Sequence, residues 1–263
     1  MEMINGRDPL LGALGALAAE APTGLEERIF AGWLSAPSRI GEVFVAFTAD
    51  GVQFVRPAAS VRDDPEAFAA AYRRRFARPL RAADRAPAGL LPVLRGRRSA
   101  TLQLDLRGLS DFERDVLAAT RSIPTGETRP YAWVAREVGR PRAVRAAAGV
   151  LARNPVPLLV PCHRVVRADG RLGEYMFGTA HKERLLRAEH ADLDAVADYV
   201  RRGVHFLASD STGIVCFPTC HNARRITRAH RHEFRSAGQA LAAGYRPCRS
   251  CRPVDATPGR RTP

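Results

Sequence analysis

The thirteen residues NPVPLLVPCHRVV, Asn154 to Val166, decide how the rest of the chain is read. The apolar run Leu158-Leu159-Val160 reads as a short strand buried on both sides. It leads through Pro161 to Cys162, His163 and Arg164. A buried thiol is commonly just a small hydrophobe. An apolar pocket also raises its pKa and leaves it inert unless a base or a positive charge stabilises the thiolate. His163 can act as that base, directly or through one water, and an acid from elsewhere can orient the imidazole. Spacing alone does not name that acid.

Working outward, Asp111 to Thr120 reads as a helix with Phe112, Val116 and Leu117 on one face. Tyr131 to Val138 and Ala143 to Arg153 read as two short helices broken at Gly139-Arg140-Pro141, a helix-turn-helix pattern or a plain helical hairpin. Lys182 to Glu189 reads as a further helix, and residues 190–203 as a connecting one. On the N-terminal side, Glu42 to Val55 reads as a hairpin turning at Ala49-Asp50-Gly51. Pro65 to Phe76 reads as a helix capped by Asp63 or Asp64. Thr101 to Leu106 reads as a strand, residues 79–100 as loop, and residues 1–22 as Gly/Ala-rich without a strand pattern. The domains are then 1–106, a small α/β unit; 107–190, the helical unit around Cys162; 199–256, a cysteine-bearing unit; and 257–263, a disordered tail. The fold class is α+β, multidomain.

Residues 154–166 resemble the acceptor-cysteine motif of the O6-alkylguanine-DNA alkyltransferases, whose signature is Pro-Cys-His-Arg-Val; the resemblance runs through residues 111–189. It implies that Cys162 accepts the alkyl group, that His163 is the base acting through a water, and that Glu189 orients His163. It further implies that Asn154 braces the turn before the active site, Arg145 is the finger inserted into the duplex, Tyr131 helps rotate the phosphate, and Tyr175 lines the base pocket. The implied activity is an irreversible transfer from O6-methylguanine, and from O4-methylthymine, in double-stranded DNA. The base must leave the stack to be reached, and the small residues Ala146, Ala147, Ala148 and Gly149 let a helix approach the minor groove. For residues 1–106 the resemblance implies a ribonuclease-H-like fold, and for the catalytic unit a winged-helix-like one. The sequence departs from the family at Gly173-Glu174-Tyr175 and at the bulky Met176-Phe177, which narrow the pocket against large adducts. It also departs at Pro130 and Trp133.

Four of the five cysteines form two close pairs, Cys216-x3-Cys220 and Cys248-x2-Cys251. Such spacing suits tetrahedral Zn2+; two disulfides, a redox Cys-x-x-Cys or an iron–sulfur cluster are the alternatives. Between the pairs Ser236 caps a helix that ends at Gly244. STGIVCFPTC (211–220) and QALAAGYRPC (239–248) resemble the zinc domain of Ada proteins. There a zinc-bound cysteine takes a methyl group from a DNA methylphosphotriester, a role that falls by motif position on Cys216. Four thiolates on a divalent cation leave a charge of −2, and Arg224, Arg225, Arg228 and Arg231 would hold the neighbouring phosphates. The domain is C-terminal here, the reverse of the Ada order, and Ada's helix-turn-helix activator domain is absent. A structural zinc knob, a zinc-containing DNA-binding regulator and a lesion-binding protein are the competing readings.

Composition fits these assignments. The chain has 263 residues, 46% hydrophobic, with 41 basic and 27 acidic side chains and a net charge of +14. Twelve arginines and three acids fall from Tyr199 to Pro263, placing +9 there. Such charge points to a polyanion. One base, Lys182, is a lysine; the other 40 are arginines. No stretch has the ~18 apolar residues of a membrane span, and no signal-peptide pattern opens the chain. The expectation is a cytoplasmic monomer that contacts no membrane.

Overall fold

The computed structural model describes residue 26, residues 29–97 and residues 99–253. The stretch 1–22 and the tail 257–263 lie outside the described residues. Strands β1 (Ala31–Ser38), β2 (Gly41–Thr48) and β3 (Gly51–Pro57) form an antiparallel meander, and β4 (Leu80–Ala82) joins β1 in parallel, giving the order β3-β2-β1-β4. The expected hairpin is β2–β3. Gly51 is required there, with φ +135°, because a Cβ would strike the backbone at Gln103. Helix α1 (Pro65–Phe76) starts as expected, with the Asp64 carboxylate accepting from Glu66 N at 2.8 Å. Its Phe68 packs 5.5 Å from both Phe44 and Phe54. Thr101 to Leu106 is not a strand: it makes one bridge, Leu104 to Val52. Instead Asp105 turns inward and accepts from Thr48 Oγ1 at 2.7 Å and from Gln53. The presumed loop 79–100 contains both β4 and a short helix α2 (Leu90–Leu94), whose Leu90 and Leu94 are buried.

Helix α3 (Asp111–Arg121) carries a full capping box between Ser110 and Glu113, satisfying two N-terminal amides reciprocally. Strand β5 (Arg129–Pro130) leads into α4 (Tyr131–Glu137); after the turn at Gly139 comes α5 (Val144–Ala152), and α3, α4 and α5 pack together. Residues 158–160 do not form a strand. They make a buried turn closed by a Pro157–Val160 bridge, with Leu158 at φ +72°; the apolar run is buried as expected, but by packing rather than by a sheet. Cys162–Arg164 form one 3-10 turn, followed by β6 (Val165–Val166), which pairs in parallel with β5. Helices α6 (Thr179–Ala188) and α7 (Leu193–Arg202) complete this part.

The C-terminal part comprises β7 (Phe206–Ser209), β8 (Ile214–Cys216), α8 (His221–Arg224), β9 (Arg231–Phe234), α9 (Ala237–Ala242) and β10 (Arg246–Pro247). Its sheet order is β10-β8-β7-β9. Ser236 caps α9 by accepting from Gln239 N at 3.1 Å, and Gly244 follows at φ +88°. The fold is thus mixed α+β. One buried apolar cluster runs from Val43 and Val55 through Leu117 and Val160 to Phe206 and Val215, so the three parts share a core. Among the described residues no helix is long and apolar enough to cross a membrane.

Candidate active site and metal centre

Cys162 is 5% exposed. The turn 154–160 delivers it to its neighbours, and Asn154 holds that turn. Its side-chain oxygen accepts from Val156 N at 3.0 Å, and its Nδ2 donates to Val160 O at 3.1 Å and to Cys162 Sγ at 3.2 Å. Burial pushes the thiol pKa up, opposed by the Asn154 hydrogen bond and the Lys182 charge. Burial likewise lowers His163, against the pull of Glu189. The resting pair at neutral pH is therefore thiol and neutral imidazole.

Glu189 sits at the end of α6 and is 5% exposed. Burial would raise its pKa, but hydrogen bonds from His163 and Arg164 hold it far below the usual carboxylate range. His163 Nε2 lies 2.9 Å from its Oε1, and Arg164 donates to both oxygens at 2.8 Å. An ionised carboxylate only accepts, so the imidazole proton is assigned to Nε2 and the lone pair to Nδ1. Nδ1 is buried and makes no hydrogen bond among the described residues. The Tyr175 hydroxyl is in the same state. Burial raises the pKa of both Tyr131 and Tyr175, and each also feels the Cys162 charge. Phe177 stacks edge-on against Tyr175, with centroids 5.5 Å apart. Thus Cys162, His163, Glu189, Asn154, Tyr131 and Tyr175 are gathered at one place, whereas Arg145 is exposed on α5 with no ion pair among the described residues.

Lys182, which the sequence shows as the one lysine and the start of a helix, has no expected role at this site. The side chain is fully buried, and its ammonium donates to Val165 O at 2.6 Å and to Leu172 O. Burial lowers its pKa to about 8, with Cys162 pulling the other way. Its being the one lysine among forty arginines was the available signal. The folded pKa lies below the unfolded 10.5, so between pH 8 and 10.5 the unfolded chain binds the extra proton and stability gains from this group as pH rises. Lys182→Met should lack that gain, so the wild-type-minus-variant stability difference, measured by denaturant titration, should rise by up to about 3 kcal/mol across this window.

The four remaining cysteines are all buried, and their sulfurs lie within 4.8 Å of one another. Four soft sulfur donors converging at that separation fit a closed tetrahedral zinc site, with no histidine needed in the set. Cys216 and Cys220 flank the turn after β8, and Cys248 and Cys251 follow β10. Cys216 is 1% exposed.

This centre is joined to the alkyltransferase-like part, which the sequence did not foretell. Trp133 Nε1 on α4 donates to Cys251 O at 2.9 Å, and Thr128 N donates to Thr219 Oγ1 at 2.9 Å. Glu127 accepts from His221 N at 3.0 Å, and Arg252 pairs with Glu137. Arg129 is buried between the Trp133 and Phe217 rings, 5.7 and 5.5 Å from their centroids, and pairs with Glu127. Trp133, out of place in the family motif, is therefore explained as a joint. The arginines expected to meet phosphate divide. Arg224 is engaged with carbonyls of Thr219, Gly126 and His190, and Arg231 with Ile226 O and the Tyr199 hydroxyl. Arg225 and Arg228 are exposed and make no ion pair among the described residues.

Residues 111–191 match the model of the 6-O-methylguanine DNA methyltransferase, DNA binding domain, and residues 195–254 match the metal binding domain of Ada. The chain is 48% identical over 89 residues to the bifunctional transcriptional activator/DNA repair enzyme Ada of Escherichia coli, covering 34% of this chain and 25% of that one. It is 46% identical over 91 residues to the methylated-DNA–protein-cysteine methyltransferase of Methanothermobacter thermautotrophicus, covering 35% of this chain and 51% of the other. The chain thus spans a quarter to a half of the length of these curated relatives. Mycobacterium tuberculosis OGT, solved in complex with DNA, aligns at 28% identity over 63% of this chain and 98% of that one, with a TM-score of 0.49. Residues 111–191 are thus similar to the 6-O-methylguanine DNA methyltransferase DNA binding domain, and residues 195–254, with their four converging cysteines, to the metal binding domain of Ada.

Proposed function

We propose that the protein repairs DNA by direct reversal, transferring the methyl group of O6-methylguanine, and of O4-methylthymine, once and irreversibly to Cys162. The observation that carries this is the buried Cys162 thiol beside a His163–Glu189 pair inside the matched segment. The ionised Glu189 fixes the Nε2–H tautomer, so Nδ1 takes the thiol proton, relayed by one water, and Glu189 stabilises the imidazolium. Asn154 and Lys182 favour the thiolate as it forms. The sulfur–carbon bond forms as the carbon–O6 bond breaks, and the electron pair goes to O6. The proton that left the thiol ends on the released guanine. The product thioether is stable, so each chain acts once.

Double-stranded DNA is the partner, and the chain acts as a monomer. The target leaves the stack to enter the pocket lined by Tyr175, Tyr131 assists the phosphate rotation, and Arg145 props the gap. Arg225 and Arg228 are placed to hold neighbouring phosphates. Residues 1–106 are read as ribonuclease-H-like, supported by three antiparallel strands with a fourth in parallel; residues 107–190 as winged-helix-like; and residues 199–256 as the zinc unit. Cys216 is the candidate second acceptor. There a sulfur–carbon bond would form as the methylphosphotriester's oxygen–carbon bond breaks, leaving a phosphodiester anion. Zinc bound by the four cysteines supplies the positive charge that keeps them ionised at neutral pH.

The test is incubation with duplex carrying labelled O6-methylguanine, followed by peptide mapping. One methyl per chain should appear on the Cys162 peptide; no uptake by the wild type overturns the reading. A methylphosphotriester duplex tests Cys216 in the same way, and an unmodified zinc-loaded protein would make that site structural. Arg145→Ala should slow transfer from duplex by about 100-fold, the few kcal/mol of unstacking, and transfer from a short single strand by less than about threefold. Equal slowing on both would remove the wedge role.

A further inference from the structure

The zinc domain does more than lie beside the Cys162 site: it reaches the loop that holds Glu189. Gly126 N donates to Glu189 Oε2 at 3.2 Å. Gly126 has φ +73°, and a Cβ there would collide with the Glu189 carbonyl, so loop 123–126 and the end of α6 are in close approach. Arg164 ties one side of this loop, donating to Ile123 O at 2.6 Å and Thr125 Oγ1 at 3.2 Å. Arg224, from α8 of the zinc domain, ties the other, donating to Gly126 O at 2.5 Å and to His190 O at 3.5 Å. Its remaining donors go to Thr219 O at 3.1–3.2 Å, and its own N–H bonds Cys220 O at 3.1 Å. One guanidinium thus spans a metal-ligand helix, the residue before the Glu127–His221 contact, and the residue after Glu189.

We propose that Arg224 is a positioning residue for alkyl acceptance at Cys162: from the zinc domain it clamps the Gly126 and His190 carbonyls that flank Glu189, and so sets the carboxylate that orients His163. This rests on Cys162 being the acceptor. Arg164 and Arg39 also face Glu189, at 2.8 and 3.8 Å. Lys182, Tyr131, Tyr175 and Arg56 act on the Cys162 charge from α6, α4, the 175–177 segment and β3. None of these comes from the zinc domain; of the contacts that join the two parts, Arg224 is the one that bonds both Gly126 O and His190 O beside Glu189. A guanidinium suits the task because its planar fork serves several acceptors at once, whereas an ammonium is a single point charge.

The experiment uses the zinc-loaded full chain with two readouts: carbamidomethylation of Cys162 by iodoacetamide against pH, followed by peptide mass spectrometry, and methyl transfer from O6-methylguanine duplex at saturation. Arg224→Ala with zinc retained should lower Cys162 reactivity at pH 7 by about tenfold, moving the acid limb up by about one unit, and slow methyl transfer in parallel. Arg224→Lys should recover part of both. An unchanged thiol profile with loss confined to DNA binding would make Arg224 a phosphate contact and overturn the proposal. If Arg224→Ala loses zinc, Arg224→Lys decides: a zinc-loaded lysine variant with the wild-type profile overturns it, and one displaced about threefold supports it. A wild type that takes no methyl from any duplex, together with a displaced thiol profile in the variant, would refute the methyl-transfer reading and support only the effect of Arg224 on the Cys162–His163–Glu189 geometry.

Discussion

Cys162→Ala is expected to take up no methyl from O6-methylguanine duplex, a loss of at least about 10^4-fold, of the order seen when a nucleophile is deleted. The structure makes this a clean deletion. Asn154 Nδ2 keeps Val160 O as an acceptor, and the turn retains the Val156 N hydrogen bond to Asn154 Oδ1. The stability cost should stay near about 1 kcal/mol, typical of a small change in a packed site. Zinc content and duplex affinity should be those of the wild type, because the substitution leaves the exposed arginines proposed to hold DNA and the cysteine cluster unchanged. Single-turnover assays with labelled DNA check this, and label persisting on the Cys162→Ala chain would move the acceptor to another residue. Glu189→Gln belongs to the same series but is graded. It leaves the sulfur and removes the charge that stabilises the imidazolium, so a slowing of about 10^2-fold or more is expected, within the range of general-base effects.

The second large effect is metal removal. The C-terminal part is built from strands of two to four residues and two short helices, and all four cysteines lie in its core. Without the cation, four thiols converge on one another with no partner for their charge. Structural zinc contributes on the order of 10 kcal/mol or more to such sites, against a total stability of about 5–15 kcal/mol for a domain. Chelation should therefore unfold residues 206–252 and expose their amides to hydrogen exchange. The joint reports the event. Trp133 is 2% exposed and its indole N–H donates to the carbonyl of Cys251. Chelation should shift tryptophan emission to the red, and the shift should be absent in Trp133→Phe, which leaves only Trp33. Amide protection surviving chelation would contradict a metal-built core.

Much of the site was legible because its chemistry is local. Cys162, His163 and Arg164 are consecutive, and the two cysteine pairs announce themselves by spacing. Two helices began where expected: α1 behind Asp64, one of its two candidate caps, and α3 at Asp111, where Ser110 provides the cap. What failed was decided by distant partners. Strand β1, with Gly32, Trp33 and Pro37, has no alternation to read; it forms because β2 and β4 flank it. Residues 101–106 alternate well yet form no strand, because Asp105 is drawn inward by Thr48 and Gln53. The joint between the Cys162 site and the four-cysteine cluster was illegible for the same reason. Thr128 and Thr219 are ordinary residues until they face each other, and Arg224 looked like a phosphate ligand because no pattern in sequence shows three carbonyls waiting for it.

The lone lysine has a practical consequence. Lys182 is fully buried and its ammonium is held by two carbonyls, while the other 40 of the 41 lysine and arginine side chains are arginines, which amine-directed reagents leave untouched. Native molecules should therefore offer such a reagent nothing beyond the α-amino group. Acylation of this one nitrogen would then count opened molecules, giving the chain a built-in single-site gauge of how often the core around Cys162 comes apart.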